Sequence, residues 1–286
     1  MPEMVTQTAV VGAAPAGHGV PEAGGMVAAR VELAVLGGFE VRVDSRAVAL
    51  RHWSRRDSSA LVKLLAISPR RSLHRELVMD ALWPDLGTDV AAPRLHKAAH
   101  YARRALGHRD AVVLSASAVS LCPYDDVGVD MMQFRQRADE ALRSGGIASA
   151  KQALALYGGE LLPRDLYEPW AEPHRTHLRR LHLEMLHQAE DWHQALAADP
   201  ADEAAHLALV QRYARRGDRS AALRQLDQLD HVMRRDLGLA PSQRALDLRR
   251  HVIKADRKPS SQGNPGGLGP DAPACPAADL PLSCCA

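Results

Sequence analysis

Hydrophobic and polar positions alternate in two short stretches near the start of the chain, Val31-Glu-Leu-Ala-Val-Leu36 and Phe39-Glu-Val-Arg-Val43, separated by Gly37-Gly38. Period two with a glycine break predicts two strands. Asp44-Ser45-Arg46 offers a turn into a third apolar stretch, Ala47-Val-Ala-Leu50, although Ser45 suits a left-handed turn position less well than glycine. A small antiparallel sheet is expected. The period then lengthens. Leu61, Leu64, Leu65 and Ser68 share one face of a helix ending at Pro69, and Leu77, Ala81 and Leu82 one face of a shorter helix ending at Trp83-Pro84. A third helix spans about Asp89 to Leu106 and stops at Gly107, and Pro93 near its start argues for a regular helix beginning later than Asp89. Val112-Val-Leu114 and Val119-Ser-Leu121 bracket Ser115-Ala-Ser-Ala118 as a hairpin. Sheet, three helices and hairpin is the order of a winged helix-turn-helix.

From residue 131 the pattern is helical, with helices expected at about 131–143, 147–157, 170–197, 201–216, 218–236 and 242–254. Leu178, Leu181, Met185, Ala189, Trp192 and Leu196 form one stripe along the longest of these, widened by Leu183 and Leu186. Gly217 separates two amphipathic helices between Pro200 and Pro241, close to one tetratricopeptide-type repeat. The expected fold is therefore an α+β winged helix-turn-helix domain followed by an all-α tetratricopeptide-like helical domain. Its divisions are a disordered lead at 1–29, a winged-helix domain at 30–124, a helical domain at 125–256 and a Pro/Gly-rich disordered tail at 257–286.

Composition sharpens the picture in two places. The chain of 286 residues carries a net charge of only +2, but Arg30 to Cys122 holds 15 Lys/Arg against 9 Asp/Glu, whereas residues 123–286 hold 21 against 23. This asymmetry suits a first half facing a polyanion and a second half facing protein. No apolar run reaches the roughly 18 residues of a membrane span, and no Lys or Arg precedes Arg30, so neither a span nor a secretory start is expected and the cytoplasm is the expected compartment. Three of the four cysteines, Cys275, Cys284 and Cys285, lie in the tail, where no fixed ligand geometry is expected.

On the third helix, Leu95, Ala98, Ala99, Ala102 and Leu106 fall on one side. Lys97, His100, Tyr101 and Arg104 fall opposite, flanked by Arg94, His96 and Arg103, with no acidic residue from Val90 to Arg109. Lys and Arg neutralise phosphates and donate to guanine in the major groove, and polar or aromatic groups reach other base edges. Arg51, Arg55 and Arg56 precede the first helix, and Arg70, Arg71 and Arg75 precede the second; arginines at helix starts can contact backbone phosphates, and surface arginines with no such role are the equal alternative. DNA-binding residues are accordingly assigned to Arg94, Lys97, His100, Tyr101, Arg104, Arg103, Arg55, Arg56 and Arg71. His96 and His100 have metal spacing but no third ligand, so no metal and no cofactor is assigned. His177, His182 and His187 recur every five residues, about 140° apart on a helix, and no HExxH, GxSxG or GxxxxGK[ST] occurs, so no enzymatic activity is expected. The competing reading is a helical-repeat adaptor whose basic half touches nucleic acid only weakly.

Trp53-Ser-Arg-Arg56, Lys63-Leu-Leu-Ala66, Leu73-His-Arg-Glu76, Leu82-Trp-Pro-Asp-Leu86, Leu95-His-Lys-Ala-Ala-His100 and Arg103-Arg-Ala-Leu-Gly107 together resemble the DNA-binding domain of SARP-type antibiotic regulatory activators, which has the OmpR/PhoB-type winged-helix fold. Ala155-Leu-Tyr-Gly-Gly-Glu-Leu-Leu-Pro163, Tyr167-Glu-Pro-Trp170, Asp199-Pro-Ala-Asp-Glu-Ala-Ala-His206, Gly217-Asp-Arg-Ser-Ala-Ala-Leu-Arg224 and Arg235-Asp-Leu-Gly-Leu-Ala-Pro241 resemble the bacterial transcriptional activator domain that accompanies it. The resemblance implies an activator that binds repeated double-stranded promoter elements as side-by-side copies, assists RNA polymerase holoenzyme and reads DNA through Arg94, Lys97, His100, Tyr101 and Arg104. The hairpin tip Ser115-Ala-Ser-Ala118 departs from the family pattern in lacking glycine, aromatic and basic residues, which weakens the expectation of a DNA contact there.

Overall fold

The computed structural model describes residues 29–53 and 55–254. The expected lead, apart from its last residue, and the expected tail with its three cysteines lie outside the described residues. The chain divides into two compact units between Asp191 and Trp192.

In the first unit β1 (Arg30–Ala34), β2 (Glu40–Val43) and β3 (Arg46–Ala47) form an antiparallel meander, with Val31 opposite Val43 and Leu33 opposite Val41. Asp44 and Ser45 both take positive φ, 48° and 67°, as a two-residue hairpin turn of this hand requires. Asp44 offsets the strain by accepting a hydrogen bond from Arg30 N at 2.9 Å. A strand not foreseen, β7 (Asp126–Val129), adds in parallel to the other side of β1, giving the order β3-β2-β1-β7.

Between these strands lie α1 (Arg56–Ile67), β4 (Ser72–His74), α2 (Arg75–Leu82), α3 (Thr88–Leu106), β5 (Val112–Leu114) and β6 (Ala118–Leu121). β4 was also unforeseen; it pairs with β6 and makes the hairpin a three-stranded sheet, β4-β6-β5. Two expectations are corrected. The buried face of α2 is centred on Val78 and Met79, with Ala81 and Leu82 half-buried, whereas Leu77 is 57% exposed. And α3 begins at Thr88, before Asp89: Gly87 O accepts from Val90 N and Ala91 N, and the helix runs on through Pro93. The proline ring fits helical φ and forfeits only one bond, to the carbonyl of Asp89 on an exposed first turn.

α4 (Asp130–Ser144), α5 (Ile147–Leu154) and α6 (Glu172–Gln188) share one hydrophobic core with the preceding elements, so the division expected at 124/125 falls inside the first compact unit. Three contacts explain why. Asp130, at the start of α4, accepts hydrogen bonds from Val35 N, Leu36 N and Met131 N at 2.7–3.0 Å. Leu36 bridges to Leu161, and Gly37 (φ +76°) runs so close to Gly158 that a Cβ would stand 2.3 Å from its carbonyl oxygen. Lys63 of α1 pairs with Asp165 at 2.7 Å, both largely buried.

The helix expected over 170–197 is broken. α6 ends in a left-handed residue, Glu190 (φ 54°), with Asp191 N bonded to Leu186 O and Glu190 N to His187 O. This is a Schellman ending with glutamate where glycine is usual, which is why no break was legible.

In the second unit α7 (Trp192–Ala198), α8 (Glu203–Arg215), α9 (Arg219–Asp236) and α10 (Gln243–Lys254) follow, with Leu207, Val210, Leu226, Leu229, Met233 and Val252 in the core. Asp202 and Asp218 cap α8 and α9 by accepting from Ala205 N and Ala221 N. Among the described residues no helix is long and apolar enough to cross a membrane.

Two histidines of α6 give the fold a pH signature. His182 stacks on Tyr157 at 3.9 Å, and burial holds its pKa below the usual imidazole value. Burial, then the charges of Arg135 and His177, does the same to His174. A depressed folded pKa means the unfolded chain takes up the proton first, so this stability is complete above about pH 6.5 and is lost as pH falls through the folded values. The urea midpoint is expected to drop between about pH 7.5 and 5.5, and to drop less in His174→Gln/His182→Phe. An equal drop in that variant would place the titration elsewhere.

Candidate nucleic-acid interface

α3 has two chemically distinct sides. Ala91, Leu95, Ala98, Ala99, Ala102, Ala105 and Leu106 are buried, and the run of alanines lets the helix lie close against α1. Lys97, His100 and Arg104 are exposed on the other side and Tyr101 is half-buried among them. Gly107 (φ 87°) ends the helix, its N bonded to Arg103 O.

Arg55, immediately before α1, joins this face from outside the helix. Its guanidinium lies 4.8 Å from the centre of the Tyr101 ring, and His100 meets the same ring edge-on at 5.4 Å. Hydrogen bonding from Arg55, with the charges of Arg55, Lys97 and Arg104, pulls the Tyr101 phenol below its ordinary pKa. The Arg55 hydrogen bond is the main cause, and the three positive charges act in the same sense. The structure thus brings Arg55, Lys97, His100, Tyr101 and Arg104 into one basic and aromatic patch.

The other assigned residues have partners within the chain. Arg94 holds Asp57 of α1 through two nitrogens, at 2.7 and 3.3 Å, and lies 5.3 Å from the Trp83 ring. The hydrogen bond to Asp57 raises the Arg94 pKa, and the pair clamps α3 to α1. Arg56 donates to Glu168 at 2.8 Å while its side chain stays 85% exposed. Arg103 donates from Nε to Val112 O at 2.7 Å, bracing α3 against β5, and Arg71 donates to Leu121 O at 3.4 Å, at the end of β6. The sequence pattern grouped these arginines by charge alone. Their acceptors are 9 to 112 residues away, and no local signal announces them.

The hairpin tip is closed by its own groups and tied to α2: Ser115 N donates to Ala118 O at 2.8 Å, Ser115 Oγ accepts from Ala118 N at 2.9 Å, and Ser117 O accepts from Arg75 N at the start of α2. It presents no basic side chain. The patch offers ammonium, guanidinium, imidazole and phenol donors on one rigid helix, a set that can neutralise phosphates and donate to base edges.

Residues 129–253 match the family model of the bacterial transcriptional activator domain. No curated protein matches the chain significantly. Among solved structures, Mycobacterium tuberculosis EmbR, determined in complex with a low-affinity phosphopeptide, is similar with a TM-score of 0.63 and 17% identity over 79% of this chain. The match spans 66% of the length of that EmbR chain. At this identity the likeness is one of fold.

Proposed function

We propose that the chain is a sequence-specific DNA-binding activator of transcription of the SARP type. In this reading residues 30–124 work as an OmpR/PhoB-type winged helix and α3 enters the major groove of double-stranded promoter DNA. The carrying observation is the contrast along α3: one side is locked into the core by alanine packing, and the other groups Arg55, Lys97, His100, Tyr101 and Arg104 with no acidic neighbour on the helix face. A helix fixed in this way presents its donors without reorganisation, as base readout requires. Arg94, Arg56, Arg103 and Arg71 then act mainly by positioning the helix and hairpin, and the uncharged tip contributes little to affinity. The family match over residues 129–253 supports the activator half of the reading. Contact with RNA polymerase holoenzyme, side-by-side self-association on repeated elements and action at the bacterial nucleoid belong to the same proposal, which assigns binding rather than catalysis.

Mapping the protein's occupancy across its native genome tests this reading. Recovered fragments should share a repeated element upstream of genes whose transcripts fall when the protein is removed. Occupancy without a shared element, and with no preference among DNA sequences in a salt-titrated binding assay, would instead favour a helical-repeat adaptor.

A further inference from the structure

At the far end of α3 three side chains of different chemistry converge. His108 follows the helix-ending Gly107, Cys122 follows β6, and Asp125 precedes β7. One donor atom from each lies within 4.8 Å of the other two. Cys122 is fully buried, and the side chains of Asp125 and His108 are 9% and 29% exposed. His108 Nε2 is shielded from solvent and makes no hydrogen bond, although Asp125 Oδ2 is only 3.4 Å away. The second carboxylate oxygen, Oδ1, accepts from Ala29 N at 3.1 Å, which fixes the orientation of the group.

We propose that His108, Cys122 and Asp125 form a zinc site that fastens the C-terminal end of α3 to β6 and β7. Zinc bonds of about 2.0–2.3 Å in a tetrahedron put donor atoms about 3.3–3.6 Å apart, and the His108–Asp125 separation already has this value. A thiolate, an imidazole and a carboxylate together suit zinc, whereas calcium and magnesium take oxygen ligands. The unsatisfied Nε2 gains a partner, and because Nε2 and the Cys122 thiol are both shielded, the ion and a fourth ligand from solvent enter by movement of the part-exposed His108 ring. Burial, reinforced by Asp125, pushes the Cys122 thiol up to about 12, so the metal-free chain holds the proton; zinc binding works against this, releases that proton to solvent as the S–Zn bond forms, and strengthens as pH rises. The site is separate from the patch around Tyr101 and does not depend on DNA reading.

The test uses the full chain, reduced and stripped of metal, carrying Cys275→Ser, Cys284→Ser and Cys285→Ser so that only Cys122 can supply a thiolate. Cobalt is titrated as a spectroscopic probe and zinc as its competitor. One equivalent of cobalt with a thiolate-to-cobalt charge-transfer band, displaced by zinc, is the expected result. The band should vanish on adding Cys122→Ser, and zinc affinity should fall more than about 100-fold in His108→Gln and in Asp125→Asn. Zinc should also raise the melting temperature of the parent chain but not of His108→Gln. Absence of the band in the triple-serine chain, or unchanged zinc affinity in His108→Gln, overturns the proposal. Should Cys122→Ser not fold, the partly exposed His108→Gln decides alone.

Discussion

Replacing Lys97 and Arg104 together by alanine is expected to weaken binding to target promoter DNA by about 100-fold at physiological salt, because it removes base-edge and phosphate interactions worth about 1–3 kcal/mol each. Both side chains are exposed on the side of α3 that faces away from the core, so the variant should melt with the wild type. The salt dependence discriminates between their roles: each phosphate that is no longer neutralised lowers the slope of log affinity against log salt by about one unit. Arg56→Ala should have a much smaller effect, because Glu168 already holds its guanidinium. Unchanged affinity in Lys97→Ala/Arg104→Ala would remove this face from the mechanism.

Arg175→Met is expected to destabilise the first unit by about 3–5 kcal/mol, lowering its melting temperature by about 10 °C. Arg175 is 1% exposed, and its guanidinium donates to the backbone carbonyls of Leu161, Leu166 and Asp165 as well as to Glu172. Methionine fills much of the volume but leaves those carbonyls without their donor. The same loop carries Asp165, which pairs with Lys63 of α1, and Glu168, which pairs with Arg56. Loosening it should therefore speed amide exchange both in residues 158–168 and in α1. Thermal unfolding and hydrogen exchange of the full chain check this; a destabilisation below about 1 kcal/mol would show that the loop is held by its apolar packing instead.

What could be read from the sequence follows from the range over which each feature is encoded. β1, β2, α1 and α3 repeat their apolar period for several residues, so Val31 and Leu33 or Leu95, Ala98 and Ala102 announce their burial locally. β7 does not: Asp126-Val-Gly-Val129 is short and half polar, and its partner β1 lies 96 residues earlier in register. β4 has three residues and becomes a strand only because β6 offers an edge. The end of α6 was hidden because Glu190 adopts a conformation that glycine usually marks. The basic face of α3 was legible as a face, yet its division into a patch around Tyr101 and clamps at Arg94, Arg56, Arg103 and Arg71 depends on acceptors supplied by α1, β5, β6 and the 161–168 loop. Cys122 read as one cysteine among four, and only folding brings His108 and Asp125 to it.

The most direct measurement is site-specific photocrosslinking of the full chain on a promoter fragment recovered by occupancy mapping, with the photoreactive group placed at His100 and, as a control, at Leu142 on the exposed side of α4. Crosslinks from position 100 to bases of the shared element, and none from position 142, are expected. Efficient crosslinking from position 142 with none from position 100 would contradict recognition by α3.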